Sequence, residues 1–232
     1  MIKKQKWVMR GVHKIFFVLI TFAIALIFTH DSLISLAIGV LNFILQISVD
    51  YVFDTWPKKI APPYSRPAVI FFTGLSGSGK TTIARALMAK FRKNGIEPVL
   101  LDGDEIRQAI NQTGFDEYSR KNHNLNVGYM ASLLEAKGHF VIVSLISPYE
   151  ETRDTIRRMC KNFKEVYVST LLEVCIRRDT KGLYAKALNG EIMEFTGISS
   201  PYFPPKNPEV TIDTDQLSID KSVDNILKAL CK

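Results

Sequence analysis

At 232 residues and 26.2 kDa the chain is long enough for one well-buried core with an appendage, and a multidomain assembly is not expected. A hydrophobic share of 47% against 23% charged excludes global disorder, and 13 Gly with 10 Pro exclude a collagenous or low-complexity chain. The net charge of +7 divides into seven Lys/Arg against three acids in residues 1–60 and 23 against 20 in the remainder, with no dense basic stripe, so nucleic acid is set aside as a partner.

The first predicted elements are two uncharged runs, IFFVLITFAIALIFTH between Lys14 and Asp31 and SLISLAIGVLNFILQISV between Asp31 and Asp50. Basic residues flank the pair, Lys3 to Lys14 before and Lys58, Lys59 and Arg66 after, while the turn offers only His30, Asp31 and Ser32. This asymmetry predicts a transmembrane helical hairpin, helices about 12–30 and 32–53, with both ends in the cytoplasm and the lipid bilayer as a partner. At 1.5 Å per residue the runs reach roughly 24 and 27 Å, so Lys14 and Asp50 are expected to snorkel. A buried helical subdomain, or one span followed by an interfacial helix, is the alternative. Trp7, Tyr51 and Trp56 are placed for the membrane interface. Asn42 and Gln46 can bond across helices, with local backbone bonding the plainer expectation. Residues 1–56 thus form the hairpin, the proline-rich 57–67 a linker, and 68–232 a second domain.

That domain opens on an apolar run, AVIFFT at 68–73, followed at once by Gly74-Leu75-Ser76-Gly77-Ser78-Gly79-Lys80-Thr81-Thr82 and a helical pattern. Strand, GxxxxGK[ST] loop and helix in that order form the setting of a phosphate-binding loop. Its backbone N–H groups and helix dipole gather phosphate oxygens, Lys80 reaches the β- and γ-phosphates, and Thr81 can ligate Mg²⁺.

Strands are predicted at 98–102, 140–145, 165–169 and 209–213, with helices near 80–93, 120–137, 150–161, 171–178 and 219–231. Apolar strands alternating with helices give an α/β fold: a P-loop NTPase-type parallel sheet with helices on both faces, preceded by the hairpin. Ligands belong at the carboxyl ends of its strands. Asp102-Gly103-Asp104, Ser147-Pro148-Tyr149 and the polar stretch from Arg177 to Asn207 fall there. The cysteines Cys160, Cys175 and Cys231 share no metal or disulfide spacing, so structural thiols in a reducing compartment are expected.

The ordered set GLSGSGKTT at 74–82, LDGDEIR at 101–107, GF at 114–115, Arg120, ISPY at 146–149, RDTKGLYAKA at 178–187 and FTGISSPY at 195–202 resembles adenylyl-sulfate kinase. The resemblance runs from about Ala68 to the C-terminus. It implies transfer of the ATP γ-phosphate, with Mg²⁺, to the 3′-hydroxyl of adenosine 5′-phosphosulfate, and a homodimer. It implies that Asp104 lies near the acceptor hydroxyl and the metal, where it can orient the hydroxyl, accept its proton or bind Mg²⁺ through water. Asp102 is read as a strand-end partner. Arg107 and Arg120 resemble the arginines that hold the phosphosulfate, Phe115 and Phe195 the aromatic pair around the acceptor's base, and Lys181 a lid residue that reaches phosphate on closure. Tyr184 and Lys186 shape that lid. Ile146 and Ser147 fall on the ISPY motif, for which a phosphoserine has been suggested. No base adjoins Ser147, and in-line transfer needs no protein nucleophile, so hydrogen bonding to the acceptor is its expected use.

The chain departs from the pattern after Arg120. Where the family runs Arg-x-x-Asn-Ile-Arg-Arg, residues 120–126 place His123 at the Asn position with Asn122 and Asn124 beside it, and both later arginines are missing. The arginine expected after ISPY is Glu150. These changes keep a second acceptor open, such as cytidine diphosphoramidate. A non-catalytic nucleotide-sensing membrane scaffold is the reading from another class.

Overall fold

The computed structural model describes residues 66–111 and 114–231, together with Tyr64, Thr21 and positions 34, 37, 38, 40–42 and 44. Residues 1–60 and 61–232 form two compact units. In the first, the described positions are helical, and Ile34, Val40, Leu41 and Ile44 are exposed. Asn42 Nδ2 donates to Thr21 Oγ1 at 2.8 Å, so this amide bonds a residue 21 positions earlier and not its local backbone, which corrects the plainer expectation. The remainder of the expected hairpin, with Trp7, Gln46, Tyr51 and Trp56, and most of the 57–67 linker lie outside the described residues. Among the described residues no helix is long and apolar enough to cross a membrane.

The second unit is built on five parallel strands: β1 (Val69–Thr73), β2 (Val99–Asp102), β3 (Val141–Ser144), β4 (Phe163–Val168) and β5 (Val210–Ile212), in the order β2-β3-β1-β4-β5. Val69 of β1 faces Val141 on one side and Phe163 on the other. The five residues of β1 are all buried, as a central strand covered on both faces requires. Among the described residues of this unit six helices connect the strands and a seventh follows β5: α1 (Lys80–Lys93), α2 (Gly103–Ala109), α3 (Glu117–Ala136), α4 (Glu150–Met159), α5 (Leu172–Arg178), α6 (Leu183–Leu188) and α7 (Ile219–Leu230).

Alternation along β1 divides the core. Ile70 and Phe72 pack with Ile142, Val166 and Val168 under Leu87 and Phe91 of α1 and Val223 and Ile226 of α7. Val69 and Phe71 pack with Val141 and Val143 under Val127 and Ala131 of α3 and Ile156 of α4. A Cβ on Gly128 would come within 2.5 Å of Ile156, so glycine lets α3 and α4 touch. Tyr64 fastens the entering chain at the amino edge of the sheet. Its ring meets Phe91 edge-on at 5.3 Å and Phe140 at 6.1 Å, and its hydroxyl accepts from Asn94 Nδ2 at 2.7 Å.

The predicted strands and long helices are present, shifted by up to three residues at their ends. Helix α3 starts at Glu117 because Asp116 accepts from the Ser119 N–H at 2.9 Å and caps it. The short α2 and α6 had no signal in the apolar pattern.

Candidate active site

The carboxyl ends of β1, β2 and β3 open into a cleft of about 950 Å³. Its floor is the loop between β1 and α1. Gly74 adopts φ +150° and a Cβ there would stand 2.6 Å from the Val168 carbonyl, so the loop closes only with glycine. Gly79 precedes α1 at φ +102° with Thr214 beside it. Thr214 and Thr170 donate to the Ser78 carbonyl at 2.8 and 3.1 Å, and Arg178 Nη1 donates to Thr214 Oγ1 at 2.7 Å, bracing the loop from the far side.

Lys80 is buried, and its ammonium donates to the carbonyls of Gly74 at 2.9 Å and Leu75 at 2.7 Å. Burial pulls its pKa down to about 8, and the charge of Asp104 opposes the fall. Thr81 Oγ1 donates to Asp102 Oδ2 at 3.0 Å and lies 3.3 Å from Ser144 Oγ. The other Asp102 oxygen accepts the Asp104 N–H at 3.0 Å, so Asp102 ends β2 and caps α2 at once. Asp104 itself is exposed in the cleft, where Lys181 meets its carboxylate.

The Thr81 and Ser144 hydroxyls beside the Asp102 carboxylate, with the Asp104 carboxylate in the same cleft, supply hard oxygen donors. Among the described residues no three His, Cys, Asp or Glu side chains gather round one point. A site with so few protein ligands suits Mg²⁺, which keeps waters and shares its coordination with substrate phosphates.

The same cleft holds Arg107, Phe115, Arg120, His123, Ile146, Ser147 and Phe195 together, the residues expected on the acceptor side. Arg107 donates to the Gly114 carbonyl at 2.6 Å and lies over the Phe115 ring at 4.7 Å. Phe115 is 58% exposed, an orientation that a core role does not explain. Phe195 meets Tyr184 edge-on at 5.0 Å, and the Tyr184 hydroxyl donates to the Ser76 carbonyl at 2.9 Å.

Arg120 differs from expectation. Four of its N–H groups are directed at protein acceptors: the Phe115 carbonyl, Thr196 Oγ1 at 3.0 Å, the Glu194 carbonyl and Ser200 Oγ at 3.2 Å. It ties the Phe115 loop to the segment bearing Phe195. His123 is buried, and desolvation with the nearby charge of Arg107 lowers its pKa to about 4, so it stands as a neutral imidazole. Glu150 pairs with Lys206 at 3.0 Å and does not line the cleft.

Sequence reasoning passed over Asn124 and Arg153. Asn124 lines the cleft with Nδ2 buried and without a hydrogen-bond partner. Ser147 does the same with Oγ while adopting φ +43°. Orphaned polar atoms facing a cleft mark places that a ligand completes. Arg153 reads in sequence as one more helix surface charge, yet is among the largest fully buried side chains.

Residues 66–213 match the family described as adenylylsulphate kinase. A probable adenylyl-sulfate kinase of Halalkalibacterium halodurans is 48% identical over 164 residues, 69% of this chain and 81% of its own. The adenylyl-sulfate kinase of Chloroflexus aurantiacus is 47% identical over 163 residues, covering 70% and 88%. Among solved structures, the Mycobacterium tuberculosis APS kinase in complex with AMPPNP and APS aligns with a TM-score of 0.69 at 40% identity, over 72% of this chain and 99% of that one. A glycine-rich loop ahead of Lys80 and a cleft lined by Phe115 and Phe195 thus coincide with these matches, and the chain belongs to the adenylylsulphate kinase family.

Proposed function

We propose that the chain is an adenylyl-sulfate kinase, moving the γ-phosphoryl group of ATP to the 3′-hydroxyl of adenosine 5′-phosphosulfate and giving 3′-phosphoadenylyl sulfate. One observation carries this reading: Lys80, Asp104, Arg107, Phe115 and Phe195 all line one cleft. Phosphoryl transfer asks the protein for alignment and charge neutralisation more than for covalent chemistry. The loop amides and Lys80 hold the donor phosphates. Asp104 orients the acceptor hydroxyl and takes its proton, and the Lys181 ammonium that meets it follows the phosphate as charge develops. Arg107 answers the anionic end of the acceptor, and Phe115 with Phe195 stack its base. Thr81 with Asp102 and Asp104 would hold Mg²⁺, which supplies charge neutralisation on the phosphates when bound. Ser147 serves by hydrogen bonding, and no phosphoserine is invoked.

The full chain is expected to release ADP from ATP only when acceptor is present, and Lys80→Ala to abolish that release. Acceptor-independent release that Lys80→Ala leaves untouched would sink the enzyme reading, and nucleotide binding without turnover on any acceptor would favour the scaffold. Leu125 and Asn126, standing where the family pattern has two arginines, keep a second acceptor in play, because they offer no cation to a sulfate. Comparing kcat/KM for adenosine phosphosulfate and cytidine diphosphoramidate separates the two.

We also infer a membrane tether from residues 1–56. The uncharged runs, the Thr21–Asn42 bond between helical positions and the exposed Leu41 and Ile44 support it. A cysteine at position 32 should be labelled from outside intact cells, and labelling only after permeabilisation would remove the tether while leaving the kinase reading intact. A homodimer is the third expectation of the family resemblance. The exposed Tyr118, Tyr129 and Leu133 on α3 offer it an apolar face, and light scattering would detect the doubled mass.

A further inference from the structure

Arg153 is the buried charge that phosphoryl transfer, as described, leaves without a use. It ends the first turn of α4 at 2% exposure, and a sequestered guanidinium needs a full set of partners. Nε meets Glu165 Oε1 of β4 at 2.9 Å, Nη1 donates to the Ser147 carbonyl at 2.7 Å, and Nη2 donates to the Phe203 carbonyl at 2.8 Å. These carbonyls belong to the ISPY turn and to the return stretch that follows Phe195. The Phe203 N–H in turn bonds the Pro148 carbonyl at 2.9 Å, so the two segments are sewn together over Arg153.

Ser147 sits at the other end of this arrangement. Its φ of +43° costs a side chain-bearing residue on the order of 1 kcal/mol, and such a conformation persists only where the surroundings impose it. Ser147 is 1% exposed, and its buried Oγ has no hydrogen-bond partner among the described residues, in a residue that lines the cleft. Backbone strain and an unsatisfied hydroxyl therefore coincide at Ser147, one of the two residues whose carbonyls Arg153 grips.

We propose that Arg153 is a positioning residue for the acceptor. Its guanidinium locks the Ser147 turn against the Phe203 stretch and so holds the Ser147 hydroxyl toward the acceptor nucleotide. It acts through Ser147 and touches no substrate. Glu165 anchors the fork and is itself held by Arg157 at 3.1 Å, which reaches Glu209 at the surface. Lysine cannot replace it, because one ammonium on a flexible stem lacks the planar fork that reaches three acceptors at once. The proposal rests on the kinase reading for the identity of the acceptor.

The test measures KM for ATP and for adenosine 5′-phosphosulfate on the full chain, with equilibrium binding of the phosphosulfate as a readout that needs no turnover. Arg153→Lys should raise KM and Kd for the acceptor about 10- to 100-fold, while KM for ATP stays within about threefold. Glu165→Gln, which loosens the anchor but keeps the two carbonyl contacts, should lower Tm and raise acceptor KM by less than Arg153→Lys does. Should Arg153→Lys fail to fold, the neutral pair Arg153→Gln with Glu165→Gln leaves no uncompensated buried charge between them and should show the same acceptor defect. On a Ser147→Gly background, where positive φ is unstrained and the hydroxyl is gone, Arg153→Lys should add less than about threefold. An unchanged acceptor KM and Kd in the folded variant, ATP and acceptor constants rising together, or additive effects with Ser147→Gly would overturn the proposal. A wild-type chain that binds the phosphosulfate without turning it over would defeat the kinase reading and leave the binding contrast to decide this one.

Discussion

The hydroxyl of Tyr184 donates to the backbone carbonyl of Ser76 at 2.9 Å, tying the short helix α6 to the phosphate loop. The same ring packs edge-on to Phe195, so one buried side chain touches both the phosphate loop and an aromatic wall of the cleft. Tyr184→Phe keeps the ring contact and removes the bond. It should weaken ATP binding by about fivefold, in line with a net hydrogen bond of about 1 kcal/mol, and leave the acceptor constant nearly unchanged. Titration calorimetry with each substrate separates the two effects.

Lys80 predicts a proton linkage. With its pKa pulled down to about 8, the empty protein at pH 8 carries a partly deprotonated lysine, and donor phosphates restore its charge. ATP binding should take up a fraction of a proton near pH 8 and weaken as pH rises above it. The sign for stability is the reverse, because charged buried Lys80 opposes folding and the penalty fades between about pH 8 and the ordinary lysine value. Calorimetry in buffers of different ionisation heat would show the uptake, and Lys80→Arg should lose it.

His123 predicts an acid-side loss of stability. Its native pKa of about 4 lies below the ordinary value of 6.5, so the unfolded chain binds the extra proton first. Its contribution is fully present above pH 6.5 and is lost as pH falls toward 4, with a ceiling of about 3 kcal/mol. Denaturant melts across that window should be flatter in His123→Asn. Identical slopes in the two proteins would contradict the assignment of a buried neutral imidazole.

Asn124 predicts effects of opposite sign. A buried amide without a partner costs stability, so Asn124→Leu should raise the Tm of the empty protein. If the cleft completes that amide with the acceptor nucleotide, the same change should raise acceptor KM by about tenfold. A purely structural amide would raise Tm and leave KM where it was.

How far the sequence reveals this molecule depends on the range of the forces at each residue. The loop from Gly74 to Thr82 is legible because its geometry is local: glycines at fixed offsets, a strand before and a helix after. Strands β1 and β3 are legible as continuous apolar runs. Helix α2 is not, since it begins on Gly103, spans seven residues and takes its start from the Asp102 cap. Arg120 was readable as a cleft residue, but its four acceptors come from residues 115 and 194–200, which only the tertiary fold brings near. Arg153 had no local signal, because in the run EETRDTIRRM it falls on the charged side of the helix with Asp154, Arg157 and Arg158, and its burial depends on Glu165, twelve residues away.

Tyr64 is clamped at the edge of the sheet away from the cleft, against Phe91, Asn94 and Phe140. The clamp thus holds residue 64 on the side of the sheet opposite the phosphate loop. The clamp also insulates the site mechanically, since a pull on the leading segment loads the Tyr64 ring contacts before it reaches the phosphate loop.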